Sequence, residues 1–208
     1  MDWKSFFNNK RNRTEFIITV ILLAVLMLSF SQFLQFIEKR EGVSLPDPIL
    51  KAFNPLDLTW LTFTLIYLSM ILFLFSVRKE PNKLMTALQA YGLMVIFRTI
   101  AMYLVPLEPP DTLLLLNDPF VQLFGKGEIL TKDLFFSGHT GTLFLLFLLA
   151  ENKTYKIIFL ISTITVGLAV LLQHVHYSID VFIAPFVAYG AFRVVTNMHR
   201  KKLELAKS

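Results

Sequence analysis

Six blocks of apolar residues constrain this chain more than any other feature of its sequence. They lie at residues 16–36, 58–77, 85–105, 134–150, 155–172 and 177–195. About 20 consecutive apolar residues, rising 1.5 Å each, cross the roughly 30 Å of hydrocarbon in a bilayer. The fourth and fifth blocks are the shortest and have the least distinct ends. The chain is 55% hydrophobic and only 17% charged, whereas a soluble domain carries about a quarter charged residues. The expected fold is all-α: one polytopic membrane domain over residues 1–208 with six transmembrane helices. There is no internal repeat, low-complexity tract or sign of a second domain. Lys10, Arg11 and Arg13 precede the first block as they would a signal peptide. That block is too long, and no small-x-small cleavage site follows it, so it reads as a retained helix.

The distribution of Lys and Arg gives the orientation. Alternate connections hold Lys4, Lys10, Arg11 and Arg13, then Arg78, Lys79 and Lys83, then Lys153 and Lys156, then Arg200, Lys201, Lys202 and Lys207. The opposite connections hold Lys39, Arg40, Lys51, Lys126 and Lys132. The positive-inside rule places the richer set, and so both termini, in the cytoplasm. The basic C-terminal tail is expected along the anionic inner leaflet. The net charge of +5 is dispersed, without the basic, aromatic-interleaved stripe of a nucleic-acid binder. The chain has no cysteine, which excludes disulfides and thiolate chemistry.

With this orientation the unusual polar residues share one layer on the outer side. His174 and His176 lie in the fifth connection, and His139 follows the third. Arg98 lies seven residues before the end of the third block, roughly 10 Å deep. The third connection, residues 106–133, is long and partly apolar. It is expected to lie along the interface near that layer.

His176 and Asp180 open the last block four residues apart, so on a helix they share a face. A carboxylate there can fix one imidazole nitrogen and leave the other as nucleophile or base. The bland alternative is a loop histidine beside an aspartate that complements a helix dipole. Ser137, Gly138, His139 and Thr140 form the turn into the fourth block. Ser137 suits an N-cap, Gly138 lets the backbone approach a ligand, and free N–H groups at a helix start bind phosphate. His139 can protonate a leaving alcohol, although the turn also reads as plain capping chemistry. Arg98 is costly in an apolar helix. It calls for either a bidentate phosphate or a structural ion pair with Asp133 or Asp180. Arg193, near the inner end of the last block, is expected to snorkel. His139, His174, His176 and Asp180 could also be read as metal ligands, though an arginine beside them opposes a cation. The reading therefore assigns no metal and no cofactor.

These residues resemble the sphingomyelin synthase branch of the type-2 phosphatidic acid phosphatase superfamily. The stretch 132–140, Lys-Asp-Leu-Phe-Phe-Ser-Gly-His-Thr, is similar to that family's third motif. The stretch 174–181, His-Val-His-Tyr-Ser-Ile-Asp-Val, is similar to its fourth. Leu45, Pro46 and Asp47 resemble the first motif, and Arg98, Met102, Tyr103 and Pro106 the second. Ala101 stands where the second motif tends to have threonine, and Val175 where an acidic residue is common. The lipid phosphatase branch fits less well. It expects lysine at Tyr91, proline at Phe136 and arginine at Val170.

The resemblance implies a phospholipid head-group transferase. His139, His176 and Asp180 would be catalytic, and Arg98, Ser137, Gly138 and Thr140 would hold the substrate phosphate. Asp133, His174, Tyr177 and Tyr103 would support them. The partners would be a phospholipid donor and a lipid alcohol, ceramide or diacylglycerol, or water. A homo-oligomer is compatible with this reading. A bacterial inner membrane with the site on the periplasmic face is the expected setting. The alternative is a phosphatase acting on phosphatidate or an isoprenyl pyrophosphate. A transporter or proton relay would instead spread polar residues through the membrane depth, whereas the inner halves of these blocks hold almost nothing titratable.

Overall fold

A computed structural model of the chain describes residues 2–116 and 130–205, and shows seven helices. They are α1 (Trp3–Asn8), α2 (Lys10–Glu38), α3 (Thr59–Val77), α4 (Pro81–Leu104), α5 (Gly138–Leu149), α6 (Lys153–Leu172) and α7 (Ser178–Leu205). Among the described residues there is no strand, only one parallel bridge between Val43 and Leu107. Five of the helices, α2, α3, α4, α6 and α7, are long and apolar enough to cross a membrane. The fourth apolar block instead forms a 12-residue helix, about 18 Å long. Residues 134–137 do not join it, because Ser137 caps the helix and ends its ladder there.

Local chemistry sets the helix ends. Asn9 caps α2 through Arg11 and Asn12 N–H, and Asn152 caps α6 through Thr154 and Tyr155 N–H. Pro81 opens α4, where its missing N–H costs nothing. The helices α2 and α7 are longer than the apolar blocks that announce them. α2 begins six residues earlier than expected. α7 runs to Leu205, so residues 196–205 continue the helix. Lys207 and the middle of the expected interfacial segment, residues 117–129, lie outside the described residues.

The short helix α5 is central, packed on α3, α4, α6 and α7, while α2 is peripheral and leans on α4 and α1. Ala184, Ala188 and Ala191 are fully buried on α7. Their small side chains allow the close backbone approach that gives dispersion contact in place of a hydrophobic driving force. Leu143 and Leu145 of α5 and Phe159 and Val166 of α6 fill the space around them. By contrast Ile21, Leu22, Val25 and Leu28 of α2 are exposed, as expected of a helix whose neighbour is lipid.

The end away from His139 and His176 holds a polar network on helical turns beyond the apolar blocks. Lys202 pairs with Glu15, and Gln89 donates to Glu15 and Thr19. His199 Nε2 is 2.6 Å from Gln89 Oε1, and its Nδ1 is 3.1 Å from Thr86 Oγ1. Titratable groups therefore do occur at this end. The apolar blocks missed them because Glu15, His199 and Lys202 sit just beyond the block limits, on extra helical turns. Arg193 is exposed and lies over the Tyr189 ring at 5.9 Å.

The histidine end is closed by loops tied to one another through Gln173, which is fully buried. Its Oε1 accepts from Leu58 N–H (3.1 Å), and its Nε2 donates to Thr59 Oγ1 (2.9 Å) and to the carbonyls of Leu114 and Leu115. Its own carbonyl accepts from Leu114 N–H. One amide thus pins three connections. Gln173→Leu keeps the volume and strands the half-buried Leu58 N–H. We expect a stability loss of about 2–4 kcal/mol, measured as a lower unfolding midpoint in detergent.

Candidate active site

Two helix N-termini meet at this end, and the site grows from their junction. Ser137 Oγ accepts from Thr140 N–H at 3.4 Å, which starts α5. Ser137 N–H donates to the Asp180 carbonyl at 3.1 Å, which fastens the start of α5 to the first turn of α7. Asp180 is the third residue of α7, and its Oδ2 accepts from Tyr177 N–H at 3.0 Å. This is the back-bond of a capping box, with aspartate in the usual glutamate position. The other half comes from a different loop. Asp47 Oδ2 accepts from Ser178 N–H (2.7 Å) and Ser178 Oγ (2.8 Å). Asp47 Oδ1 accepts from Ile49 N–H at 2.9 Å.

His176 stands before α7, on the turn that leads into it, and not on the helix itself. Helical i,i+4 spacing is therefore not what brings it to Asp180. The turn does so, placing His176 Nδ1 3.4 Å from Asp180 Oδ2. Both side chains are buried, 1% and 0% exposed. The contact is within ion-pair range, but neither His176 Nδ1 nor Asp180 Oδ1 has a hydrogen-bond partner among the described residues. His139, in the first turn of α5, faces the same space. Its ring centroid is 6.1 Å from that of His176, and the rings are inclined by 64°. Phe63 closes the other side of His139 at 6.0 Å. Two imidazoles 37 residues apart in sequence thus flank one small volume beside a buried carboxylate.

Arg98 enters from α4 and is 6% exposed. Its Nη2 donates to Asp133 Oδ1 at 2.7 Å and to the Asp133 carbonyl at 3.2 Å. Of the two partners open to it in the sequence, Asp133 is the one it holds. Its Nε has no partner among the described residues. The guanidinium also lies hard against the start of α5. A Cβ at Gly138 would sit 1.8 Å from Arg98 Nη1 and 2.8 Å from its Cζ. Glycine at 138 is therefore a requirement of space. It lets a cation rest on a helix N-terminus where free N–H groups also point.

The remaining residues fall elsewhere. Thr140 is buried, with its Oγ1 3.2 Å from Ser137 Oγ. The Tyr177 hydroxyl donates to the Glu108 carbonyl and accepts from Leu45 N–H, so it braces loops. Tyr103 does not join the group. It is 54% exposed, lies under Arg40 at 5.1 Å, and its carbonyl accepts from Arg40 Nη1. His174 is buried with φ 56° and hydrogen-bonds to Thr112 through Nδ1. It lines a different cavity, described below. Among the described residues no group of three or more His, Asp and Glu side chains could hold a metal ion. Sequence reasoning passed over Gln173, Glu108 and Thr112, whose roles depend on loops distant in sequence. The Leu-Pro-Asp resemblance was the one signal that marked Asp47.

The hydrogen bonds to Asp47 set a pH dependence. Burial alone would raise its pKa, but the donors from Ser178, Ile49 and Leu50 outweigh burial and hold it below the ordinary 3.8. A carboxylate depressed on folding contributes stability above its unfolded pKa, and that stability is lost as pH falls through the lower folded value. Acid unfolding at and below about pH 4 should therefore be less steep in Asp47→Asn than in the parent, as read by tryptophan fluorescence against pH. In Gly138→Ala, Arg98 must be displaced, at a cost of about 1–3 kcal/mol. Gly190→Ala on α7, where an added Cβ meets nothing within 4 Å, should be neutral or stabilising by up to about 1 kcal/mol. Equal unfolding midpoints for the two would refute the close approach.

Comparison with known families matches residues 132–198 to the family described as PAP2 superfamily C-terminal. The match covers about a third of the chain. It takes in Asp133, the Ser137–Thr140 turn, His174, His176 and Asp180, and leaves out Arg98 and Asp47. No curated protein matches the chain. The segment that builds both helix N-termini thus supports the type-2 phosphatidic acid phosphatase superfamily, whose members are lipid phosphatases and phosphotransferases.

Proposed function

We propose that this protein is an integral-membrane phospholipid head-group transferase of the sphingomyelin synthase type, using a histidine nucleophile. The observation that carries this reading is the His139–His176 pair, with the buried Asp180 behind His176 and Arg98 on the start of α5. A diester phosphate fits between the two rings, held by Arg98 and by the N–H groups and dipoles of α5 and α7. Asp180 faces Nδ1 of His176, so Nε2 is the nucleophile. It attacks phosphorus, and the bond from phosphorus to the diacylglycerol oxygen breaks. His139, protonated, gives its proton to that oxygen. A lipid alcohol such as ceramide then loses its proton to His139 and attacks phosphorus, and the P–N bond breaks. With water in place of the alcohol the same steps amount to hydrolysis.

Charge favours a diester over a doubly charged monoester. Among the described residues Arg98 is the cation at the site, because Lys132 is turned to Glu108 and the Arg40 carbonyl. We also propose that α5 completes a six-span bundle with both termini in the cytoplasm. At about 18 Å, α5 leaves its N-terminus below the outer surface. The reacting phosphate would then be recessed, where electrostatic stabilisation is stronger than in open water. The setting we propose is a bacterial inner membrane with the site toward the periplasm.

Lipid mass spectrometry on purified protein tests the reading. The vesicles would contain phosphatidylethanolamine, phosphatidylcholine, phosphatidate and ceramide. A ceramide product carrying a head group is the expected result. Inorganic phosphate released from phosphatidate alone would replace the transferase reading with a lipid phosphatase. His176→Ala, His139→Ala and Asp180→Ala should each lower turnover by at least about 100-fold without loss of folded protein. Normal turnover in folded His176→Ala would overturn the mechanism.

A further inference from the structure

A second cavity lies beside the proposed reaction centre and takes no part in the steps above. Its volume is about 340 Å³, at the small end of ligand pockets and suited to a head-group-sized molecule, not to an acyl chain. It is lined from the 44–55 loop, from Pro110, Asp111 and Thr112, and from His174 and Tyr177. His139, His176, Asp180 and Arg98 are not among its walls. His174 and Tyr177 flank His176 in sequence, so one turn serves both places.

The cavity has a buried base and an open mouth. Asp47, Leu50, Pro110, His174 and Tyr177 are buried, while Ser44, Lys51, Asn54, Asp111 and Thr112 are exposed. His174, which lines the base, carries an unmet hydrogen-bonding group. His174 is 2% exposed, its Nδ1 is engaged by the Thr112 hydroxyl, and its Nε2 has no partner among the described residues. A buried polar atom left without a partner costs about 1–3 kcal/mol. Burial lowers the pKa of His174 against the opposing pull of Asp47, so the ring is neutral near pH 7.

The chemistry of the lining narrows the occupant. Lys51 and Asp111 have opposite charges, and the Asp47 oxygens are already filled by backbone and Ser178 donors. What remains is a set of groups with donor and acceptor capacity: Ser44, Asn54, Thr112 and the neutral His174. Apolar faces of Phe53, Pro55 and Pro110 separate them. A hydroxyl both donates and accepts, so it matches the side chains of Ser44, Asn54 and Thr112 in any orientation of their groups. An ammonium or a phosphate satisfies only half of this lining.

We propose that this cavity is a binding site for a small polyhydroxy group. That group is either a free polyol or the hydroxylated head group of a lipid. The proposal rests on the cavity alone and stands whether or not the transferase reading holds.

The test is saturation-transfer NMR on the full chain in detergent at pH 7, with glycerol and myo-inositol as probes and ethanolamine as control. Transfer to a polyol that exceeds transfer to ethanolamine is the expected result. Thr112→Val should reduce that transfer about fivefold. So should His174→Asn, which keeps a residue tolerant of positive φ. His176→Ala, which stops the proposed chemistry, should leave transfer unchanged, so failure of the reaction and failure of the site are read separately. Nanodiscs of phosphatidylglycerol that suppress the signal, where phosphatidylcholine nanodiscs do not, assign the site to a lipid head group. Equal signals in both assign it to a free polyol. Transfer no greater than that to ethanolamine, or undiminished in Thr112→Val, overturns the proposal. Thr112 is at the exposed mouth, so this arm holds even if His174→Asn does not fold.

Discussion

The hydrogen bond from Ser137 N–H to the Asp180 carbonyl is the contact on which the rest of the site depends. It ties the start of α5 to the first turn of α7, so that two sets of free helix N–H groups converge on one place. His139 rides on one of these turns and His176 on the approach to the other, so their rings meet without either needing a long reach. Arg98 rests on the same junction because position 138 has no side chain. A carboxylate, two imidazoles and a guanidinium are costly to bury singly. Gathered together they offset part of one another's desolvation, and the N-terminus of α7 favours the Asp180 carboxylate. Among the described residues His176 Nδ1, Asp180 Oδ1 and Arg98 Nε are left without a hydrogen-bond partner.

The loops serve as a rigid clamp around that junction. Asp47 supplies from a distant loop the N-terminal cap that α7 does not carry in its own sequence. Gln173 fastens the 58–59 and 114–115 segments, and Glu38 fixes Thr131 and Lys132 on the approach to Asp133. Glu108 takes Lys132 and Gly42 N–H. Each of these acceptors is matched by donors from another connection, so the site end is held by polar bonds. The helix walls are held by close packing of small and branched residues. This division follows from the surroundings: in lipid the apolar faces gain nothing by leaving solvent, and specificity passes to packing and hydrogen bonds.

The opposite end has its own network, in which Glu15, Gln89, His199 and Lys202 join α2, α4 and α7. It draws the peripheral α2 to the bundle at a point where few side chains are buried. Its members stand on helical turns beyond the apolar blocks, so hydropathy alone does not register them. The two polar ends are separated by the apolar middle of the bundle. This places the histidine pair in a single layer and leaves no chain of titratable groups through the described core.

The sequence by itself determined the helical class, because long uncharged apolar runs leave the backbone few other ways to satisfy its hydrogen bonds. It determined the residues worth watching as well, since Ser-Gly-His-Thr, His-x-x-x-Asp and a lone arginine in an apolar helix each carry a physical cost that calls for a reason. Ser137 as a cap and the need for glycine at 138 are legible in the same way. Only the tertiary structure decided that α5 is short, that His176 reaches Asp180 from a turn and not along a helix, and that Arg98 takes Asp133 as its partner. It also decided that His174, two residues from His176, serves a separate cavity with Thr112, while Tyr103 leaves the site for Arg40. Spacing along a chain fixes direction only within one regular element. Where the chain turns, the partner is chosen by loops that come from elsewhere, and those contacts are invisible until the helices are packed.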